Sequence, residues 1–176
     1  MNEILELKIT DGSEPITLEQ AKSHCRVTTE DDDDILTDLI TVARKKVERF
    51  TGLSLTDAEV VLTVNLTASM ILPHCPFDEI DTVKFLEGQN TDGSNDWETL
   101  DADEYQLIGN DLRHFKPHYP GIHEITYTTT ANTDKSLLYD LKRVLLWLYE
   151  NRGDDSDEIP NELLSNARHL KIMSWV

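Results

Sequence analysis

The segment from residue 30 to residue 52 constrains the fold of this chain most strongly. Five consecutive acids, Glu30 to Asp34, precede apolar residues at three- and four-residue spacing: Ile35, Leu36, Leu39, Ile40, Ala43, Val47 and Phe50. This spacing predicts one apolar helical face, and the acids lie where the helix dipole favours negative charge. Thr29 or an early Asp can cap the helix, and Gly52 can end it. A calcium cage is disfavoured, because such a loop alternates its ligands around a mid-loop glycine.

Other helical segments flank a β-rich region. Residues 15–27, PITLEQAKSHCRV, predict a short helix with Thr17 as N-cap and Gln20 in capping-box register. A helix with a wide apolar face is predicted from about 135 to 152, and a last short helix from Pro160 to about Leu170. Between them, alternating β-branched stretches such as Glu59–Leu66 and Gly121–Thr130 predict antiparallel strands with tight turns.

The sequence therefore predicts an α+β fold, in which a small helical bundle carries an inserted antiparallel β region. The helices occupy about 15–52 and 135–170, the β insertion about 58–130, and a tail 171–176. We expect one domain over 1–176, since a chain of this size buries roughly two-thirds of its unfolded surface. No apolar run approaches the ~20 residues that cross a bilayer, and the N-terminus lacks the features of a secretory signal. These patterns predict a soluble intracellular protein with no membrane partner.

Charge is abundant and unevenly placed. Sixteen basic residues against 34 acidic ones give a formal charge of -18, which argues against nucleic-acid binding as the main function. From Asp78 to Glu104 there are ten acids and one base, Lys84. Four bases cluster instead on one predicted helix: Arg44, Lys45, Lys46 and Arg49. This asymmetry suits a partner, or a copy of the same chain, with complementary patches, although a solvated acidic surface is an equal alternative.

Candidate chemical groups are few. The His24-Cys25 and His74-Cys75 pairs could supply zinc ligands, but adjacent ligands rarely point at one ion, and reduced thiols are favoured in a chain without an export signal. His114, His118 and His123 could form a catalytic metal set, yet no acid stands at a supporting spacing. Nucleophile-elbow, P-loop and dinucleotide motifs are missing from the sequence. The sequence thus predicts no enzyme, catalytic residue, cofactor or metal, with a small His-based metal-dependent enzyme as the alternative.

The C-terminal end is apolar without a helix long enough to bury it. The residues concerned are Leu170, Ile172, Met173, Trp175 and Val176. An extended apolar end can add a strand to another subunit or fill a groove on it. Packing back onto its own core is the alternative.

The order of several motifs carries a family resemblance. EPITLEQAKSHCRV, ERFTG, LPHCP, YQL, PGIHEITYTT and LKRVLLWLYENRG, followed by IPNELLSNAR, resemble the head–tail connector, or adaptor, proteins of tailed bacteriophages over about residues 14 to 170. The resemblance implies a helical protein with a β insertion and no catalytic residues. The chain departs from the family in its acidity and in ending LKIMSWV, where an arginine- and aromatic-containing end is usual.

The resemblance also implies a place in the virion. Such proteins form rings, about dodecameric, that dock beneath the portal protein at the head–tail interface and join it to a stopper or tail-completion protein. DNA passes through without specific binding, and the protein is in the host cytoplasm during assembly. Another head-completion or tail-joining component is the alternative. We hypothesise that Arg44, Lys45, Lys46 and Arg49 form a subunit interface with acids of a neighbour, and that the tail residues Leu170, Ile172, Met173, Trp175 and Val176 dock on the portal.

Overall fold

The chain builds two compact units, each from two separate stretches of sequence. The computed structural model describes residues 2–108, 114–152 and 159–170. The β unit comprises residues 2–12 and the described part of 56–131, and the helical unit comprises 13–55 and the described part of 132–170. The single-domain organisation stays a prediction.

Three α-helices and two 3₁₀ turns make up the described part of the helical unit. Their bounds are α1 Leu18–Cys25, α2 Asp33–Thr51 and α3 Lys135–Glu150, with 3₁₀ turns at Asn161–Leu164 and Ala167–Leu170. The predicted capping box is confirmed, because Thr17 Oγ1 accepts from the Gln20 amide at 3.2 Å and Gln20 Oε1 accepts from the Thr17 amide at 3.3 Å. Gly52 ends α2 at a left-handed φ of 75°, a conformation that glycine adopts readily.

The helix predicted at 160–170 is wrong in type, because a distant carboxylate interrupts it. The amides of Asn166 and Ala167 donate to Oδ2 of Asp140, at 2.9 and 2.7 Å. Those N–H groups are then unavailable to carbonyls four residues back, which a continuous α-helix needs. The segment accordingly forms two separate 3₁₀ turns.

The core of the helical unit draws on every helix. Its buried apolar residues include Ala21 of α1, three residues on one face of α2, four on α3, and one from each 3₁₀ turn. The α2 and α3 members are Ile40, Ala43, Val47, Leu137, Leu141, Val144 and Leu145. The predicted apolar faces of these two helices therefore do form the core.

The β unit contains two antiparallel sheets. The larger has the order β1-β2-β8-β4-β5, with β1 Glu3–Asp11, β2 Ala58–Leu66, β4 Phe77–Gln89, β5 Asn95–Thr99 and β8 Gly121–Thr129. The smaller has the order β3-β7-β6, with β3 Met70–Ile71, β6 Tyr105–Ile108 and β7 His114–Pro117. The sequence assigned no element to β1, which forms one edge of the larger sheet.

One face of the larger sheet is buried, and a residue of the smaller sheet contacts it. On β8, burial alternates so that His123, Ile125 and Tyr127 are inside, as the two-residue period of a strand requires. Phe115 of β7 lies edge-on to the His123 ring, with 6.3 Å between ring centroids. The helices together with these sheets confirm the α+β fold class.

Candidate assembly surfaces

The four bases predicted as an interface do not share one face of α2. A helix turns 100° per residue, so Arg44 lies opposite Lys46 and Arg49. Lys45 and Arg49 are exposed and Lys46 is half-buried, whereas Arg44 is only 1% exposed. The structure therefore separates one member of the cluster from the other three.

Arg44 is held by acids of its own chain. Its Nε donates to Glu14 at 2.9 Å, and its Nη1 donates to Glu48 at 2.8 Å. Glu48 is itself buried, and its second oxygen accepts the amide of Leu55 at 2.8 Å. Arg44 therefore completes a network of ion pairs within its own chain. It cannot contact a neighbouring subunit while it makes these bonds. The remaining interface hypothesis, on Lys45, Lys46 and Arg49, stays a prediction.

A second stripe of α2 reaches solvent, and we call it the outer stripe. Its members alternate at four- and three-residue spacing: Ile35, Leu39, Val42, Lys46 and Arg49. Ile35 and Val42 are 41% and 40% exposed, although the sequence placed Ile35 on the buried face. Leu39 is half-buried and packs against the core of the helical unit, so the exposed apolar residues of the stripe are Ile35 and Val42. Exposed apolar side chains grouped on one helix face can pack on a partner. The spacing is readable in the sequence, but sequence alone does not say which of two adjacent apolar stripes is covered.

Uncompensated acids lie on the hairpin formed by β4 and β5. Glu98 is opposite Phe85 in the strand pairing, and the bulge between Leu86 and Gly88 brings Glu87 beside it. A hydrogen bond that protonated Glu98 donates to the Glu87 carboxylate, together with the negative charge of Glu87, raises the pKa of Glu98. Both acids are exposed. The hairpin is therefore a site where a cation from another molecule would relieve like-charge repulsion.

The edges of the larger sheet carry features that oppose edge-to-edge pairing. Strand β1 exposes Glu3 and Glu6 and has a bulge between Ile4 and Glu6, while β5 exposes Asp96 and Glu98. Acids and bulges on an edge discourage pairing with another sheet. β1 also exposes the apolar residues Ile4, Leu5 and Leu7. Two copies meeting through these edges would bring like charges together.

Most of the predicted tail surface lies outside the described residues. Leu170 ends the second 3₁₀ turn and is 37% exposed. Ile172, Met173, Trp175 and Val176 fall beyond it. Docking of the tail stays a prediction.

The histidines considered for catalysis have different surroundings. His118 is exposed, and the side chain of His114 lies outside the described residues. His123 is fully buried; its Nδ1 lies 3.1 Å from the Gly121 carbonyl, and its Nε2 has no partner. Burial lowers the pKa of His123, and the bond with Gly121 partly opposes that shift. The described residues contain no cluster of three or more His, Cys, Asp or Glu that could hold a metal ion.

We expect His123 to make the β unit less stable in acid. Its folded-state pKa lies below the unfolded value of 6.5, so its contribution to stability is fully present above about pH 6.5 and is lost as pH falls through the folded pKa. Hydrogen exchange of the β8 amides at pH 7.5 and 5.5 measures this loss. His123→Leu should reduce the difference between the two pH values. The matched variant at an exposed imidazole, His118→Leu, should retain it, and equal behaviour of the two variants would contradict the assignment.

None of the helices among residues 2–108, 114–152 and 159–170 has the length and apolar character needed to cross a membrane.

Comparison with known proteins identifies a similar protein family. Residues 15–73 match the family model described as phage gp6-like head-tail connector protein, and the resemblance indicated by the motifs is thereby confirmed over that segment. No curated protein sequence matches the chain significantly.

Solved structures share the fold over nearly the whole chain. A chain from the neck of an empty gene transfer agent (GTA) particle, computed with C6 symmetry, has a TM-score of 0.70 at 14% identity and covers 96% of this chain and 97% of its own. A chain from the virion of the native GTA particle has a TM-score of 0.70 at 15% identity and covers 98% of each. One from the native neck, computed with C12 symmetry, has a TM-score of 0.64 at 13% identity and covers 96% and 97%. At these identities the likeness shows the fold.

Proposed function

We propose that the chain is a structural virion protein that joins the DNA-filled head to the tail, because its residues 15–73 match the family model described as phage gp6-like head-tail connector protein. The observation that carries this proposal is the agreement of that family match with a fold shared, over 96–98% of the chain, with components of GTA particles. The two comparisons draw on different information, one on sequence and the other on backbone geometry. The role requires binding surfaces and no catalytic group.

The protein acts as a homo-oligomeric ring at the head–tail interface. Two of the similar structures are particle necks computed with C6 and C12 symmetry, which supports a closed ring about the particle axis. Closed rings need a heterologous contact, in which one patch of each subunit fits a different patch of the next. The outer stripe of α2 and the acidic hairpin are two such different patches.

The ring lies between a portal protein and a stopper or tail-completion protein, after assembly in the host cytoplasm. The apolar tail, Leu170 to Val176, docks on the portal, since an extended apolar end suits a groove or sheet edge of a partner. DNA passes through the ring without specific binding. A chain with a formal charge of -18 gains little from counterion release on a phosphate backbone.

Genetic complementation tests the connector role, in a system that produces the particles but lacks the gene for this protein. Without the protein, we expect filled heads and tails that remain separate in electron micrographs, because the joining ring is missing. The full chain should restore joined particles and should be found at the neck. The chain truncated after Leu170 should not restore joining, because the docking residues beyond Leu170 are lost. Its helical signal in circular dichroism should be unchanged.

The control for truncation is a chain of native length in which residues 171–176 carry the same composition in scrambled order. Joined particles in the absence of the gene would contradict the connector role. Full activity of the truncated chain would contradict only the docking of the tail.

A further inference from the structure

We propose that the outer stripe of α2 packs against the acidic β4–β5 hairpin of the next copy of this chain, with Lys46 and Arg49 facing Glu87 and Glu98. This inference rests on the proposed ring and specifies its subunit contact. It concerns a second copy of the chain as the partner, rather than the portal or DNA.

The helix side of the contact is an exposed stripe on a rigid element. A neighbouring face of α2, about 100° around the helix, is buried in the core of the helical unit through Ile40, Ala43 and Val47. Packing of that face fixes the orientation of the helix, so the outer stripe is presented in one direction. Ile35 and Val42 make its N-terminal half apolar, and the bases make its C-terminal half positive. A surface with apolar and charged halves can bind in one orientation only, as a ring contact requires.

The hairpin side has charge of the opposite sign that its own chain does not neutralise. Glu87 and Glu98 lie next to each other on the paired strands of the hairpin, and their like charges repel. By contrast, the nearest base on β4, Lys84, is already paired with Glu124 at 2.7 Å. Two bases from a neighbour would replace repulsion with two attractive pairs, an arrangement that also excludes wrong partners.

Other surfaces of the β unit fit a second copy less well. The two sheet edges are both acidic, through Glu3 and Glu6 on β1 and through Asp96 and Glu98 on β5. Direct pairing of β1 with β5 of a neighbour would therefore oppose like charges. A basic partner suits the hairpin, and α2 groups three bases that can supply it, the exposed Lys45 and Arg49 and the half-buried Lys46.

Charge exchange in the complementation system tests the contact. The pair Lys46→Glu with Arg49→Glu should lower the yield of joined particles by at least about tenfold, because like charges face each other. The pair Glu87→Lys with Glu98→Lys should do the same. All four changes together restore opposite charges, so the yield should return to within about threefold of wild type. The matched control, Lys116→Glu with Lys135→Glu, alters exposed lysines elsewhere by the same net charge and should leave the yield unchanged.

Zero-length carbodiimide cross-linking gives a direct readout in assembled particles. Particles grown with a mixture of ¹⁴N- and ¹⁵N-labelled chains should yield mixed-isotope links from Lys46 to Glu87 or Glu98, which arise only between copies. The proposed pairing would be overturned if the variant with all four substitutions folds, as judged by circular dichroism, but does not recover the yield of joined particles. Necks that contain the protein but lack these links would overturn it as well. In both cases the connector role stands, because it is judged by joining with the wild-type chain.

Discussion

Replacement of Asp140 by Ala should lower the free energy of unfolding of the helical unit by about 3–5 kcal/mol. Asp140 is fully buried on α3, and its carboxylate accepts the amides of Asn166 and Ala167, at 2.9 and 2.7 Å. Its other oxygen accepts the Asn166 side-chain amide at 2.8 Å. With the carboxylate removed, the amides of half-buried Asn166 and buried Ala167 lose their acceptor, and each unsatisfied buried group costs about 1–3 kcal/mol.

Urea unfolding followed by circular dichroism at 222 nm measures this change, because all the described helices belong to the helical unit. Asp140→Asn should lose less than Asp140→Ala, since the amide keeps one oxygen acceptor while its NH₂ group faces donors. Glu150→Ala removes an exposed acid from the same helix and should change stability by no more than about 0.5 kcal/mol. A loss below about 1 kcal/mol for Asp140→Ala would show that the second turn does not depend on this carboxylate.

The features that could be predicted from sequence are those whose causes are close along the chain. The capping box at Thr17 involves residues three positions apart, and the end of α2 at Gly52 depends on one backbone conformation. Alternation of residue types was sufficient to predict the strand at 121–130, which the structure places at Gly121–Thr129. Each of these signals is local, so tertiary packing had only to be consistent with it.

The features that were missed depend on contacts between distant segments. Asp140 anchors residues 26 and 27 positions away, and no local pattern at 160–170 reports that bond. Ile35 belongs to one of two neighbouring apolar stripes on α2, and only the packing of α3 decides which is covered. Strand β1 has an alternating sequence, but it pairs with β2, which begins 47 residues after β1 ends at Asp11. The cause of this strand is therefore distant along the chain.

The candidate assembly surfaces likewise combine features that could be predicted from the sequence with features that could not. Clustering of bases on α2 was visible in the sequence, and the exposure of Lys45 and Arg49 is consistent with an interface. The helical period could have set Arg44 apart from them, but only the structure shows the acids that bind it. Charge reversal at Arg44 would therefore damage the fold, and a test of assembly has to leave this residue intact.

Replacement of Arg44 by Met should lower the free energy of unfolding by about 3–5 kcal/mol, because it leaves a buried carboxylate without its counter-charge. The carboxylate at risk is Glu48, which is 4% exposed and contacts the guanidinium at 2.8 Å. Glu14, the other partner, is 30% exposed on its side chain and can be hydrated when the base is lost. Urea unfolding at 222 nm measures the loss, and Lys45→Met, which changes the neighbouring exposed base in the same way, should cost no more than about 0.5 kcal/mol.

The substitution Glu48→Gln separates the two possible causes of the stability loss in Arg44→Met, an unpaired buried charge and lost packing of the Arg44 side chain. The side-chain oxygen of the glutamine can still accept the Leu55 amide, which Glu48 binds at 2.8 Å, but it carries no charge. If the loss in Arg44→Met comes from the unpaired carboxylate, the double variant Arg44→Met, Glu48→Gln should be more stable than Arg44→Met alone, with a coupling energy of about 1–3 kcal/mol. Additive losses would instead assign the effect to the packing of the Arg44 side chain against α2 and its neighbours. A positive coupling would establish that this base serves the fold of each subunit, which leaves Lys45, Lys46 and Arg49 as the bases of α2 for contacts between subunits.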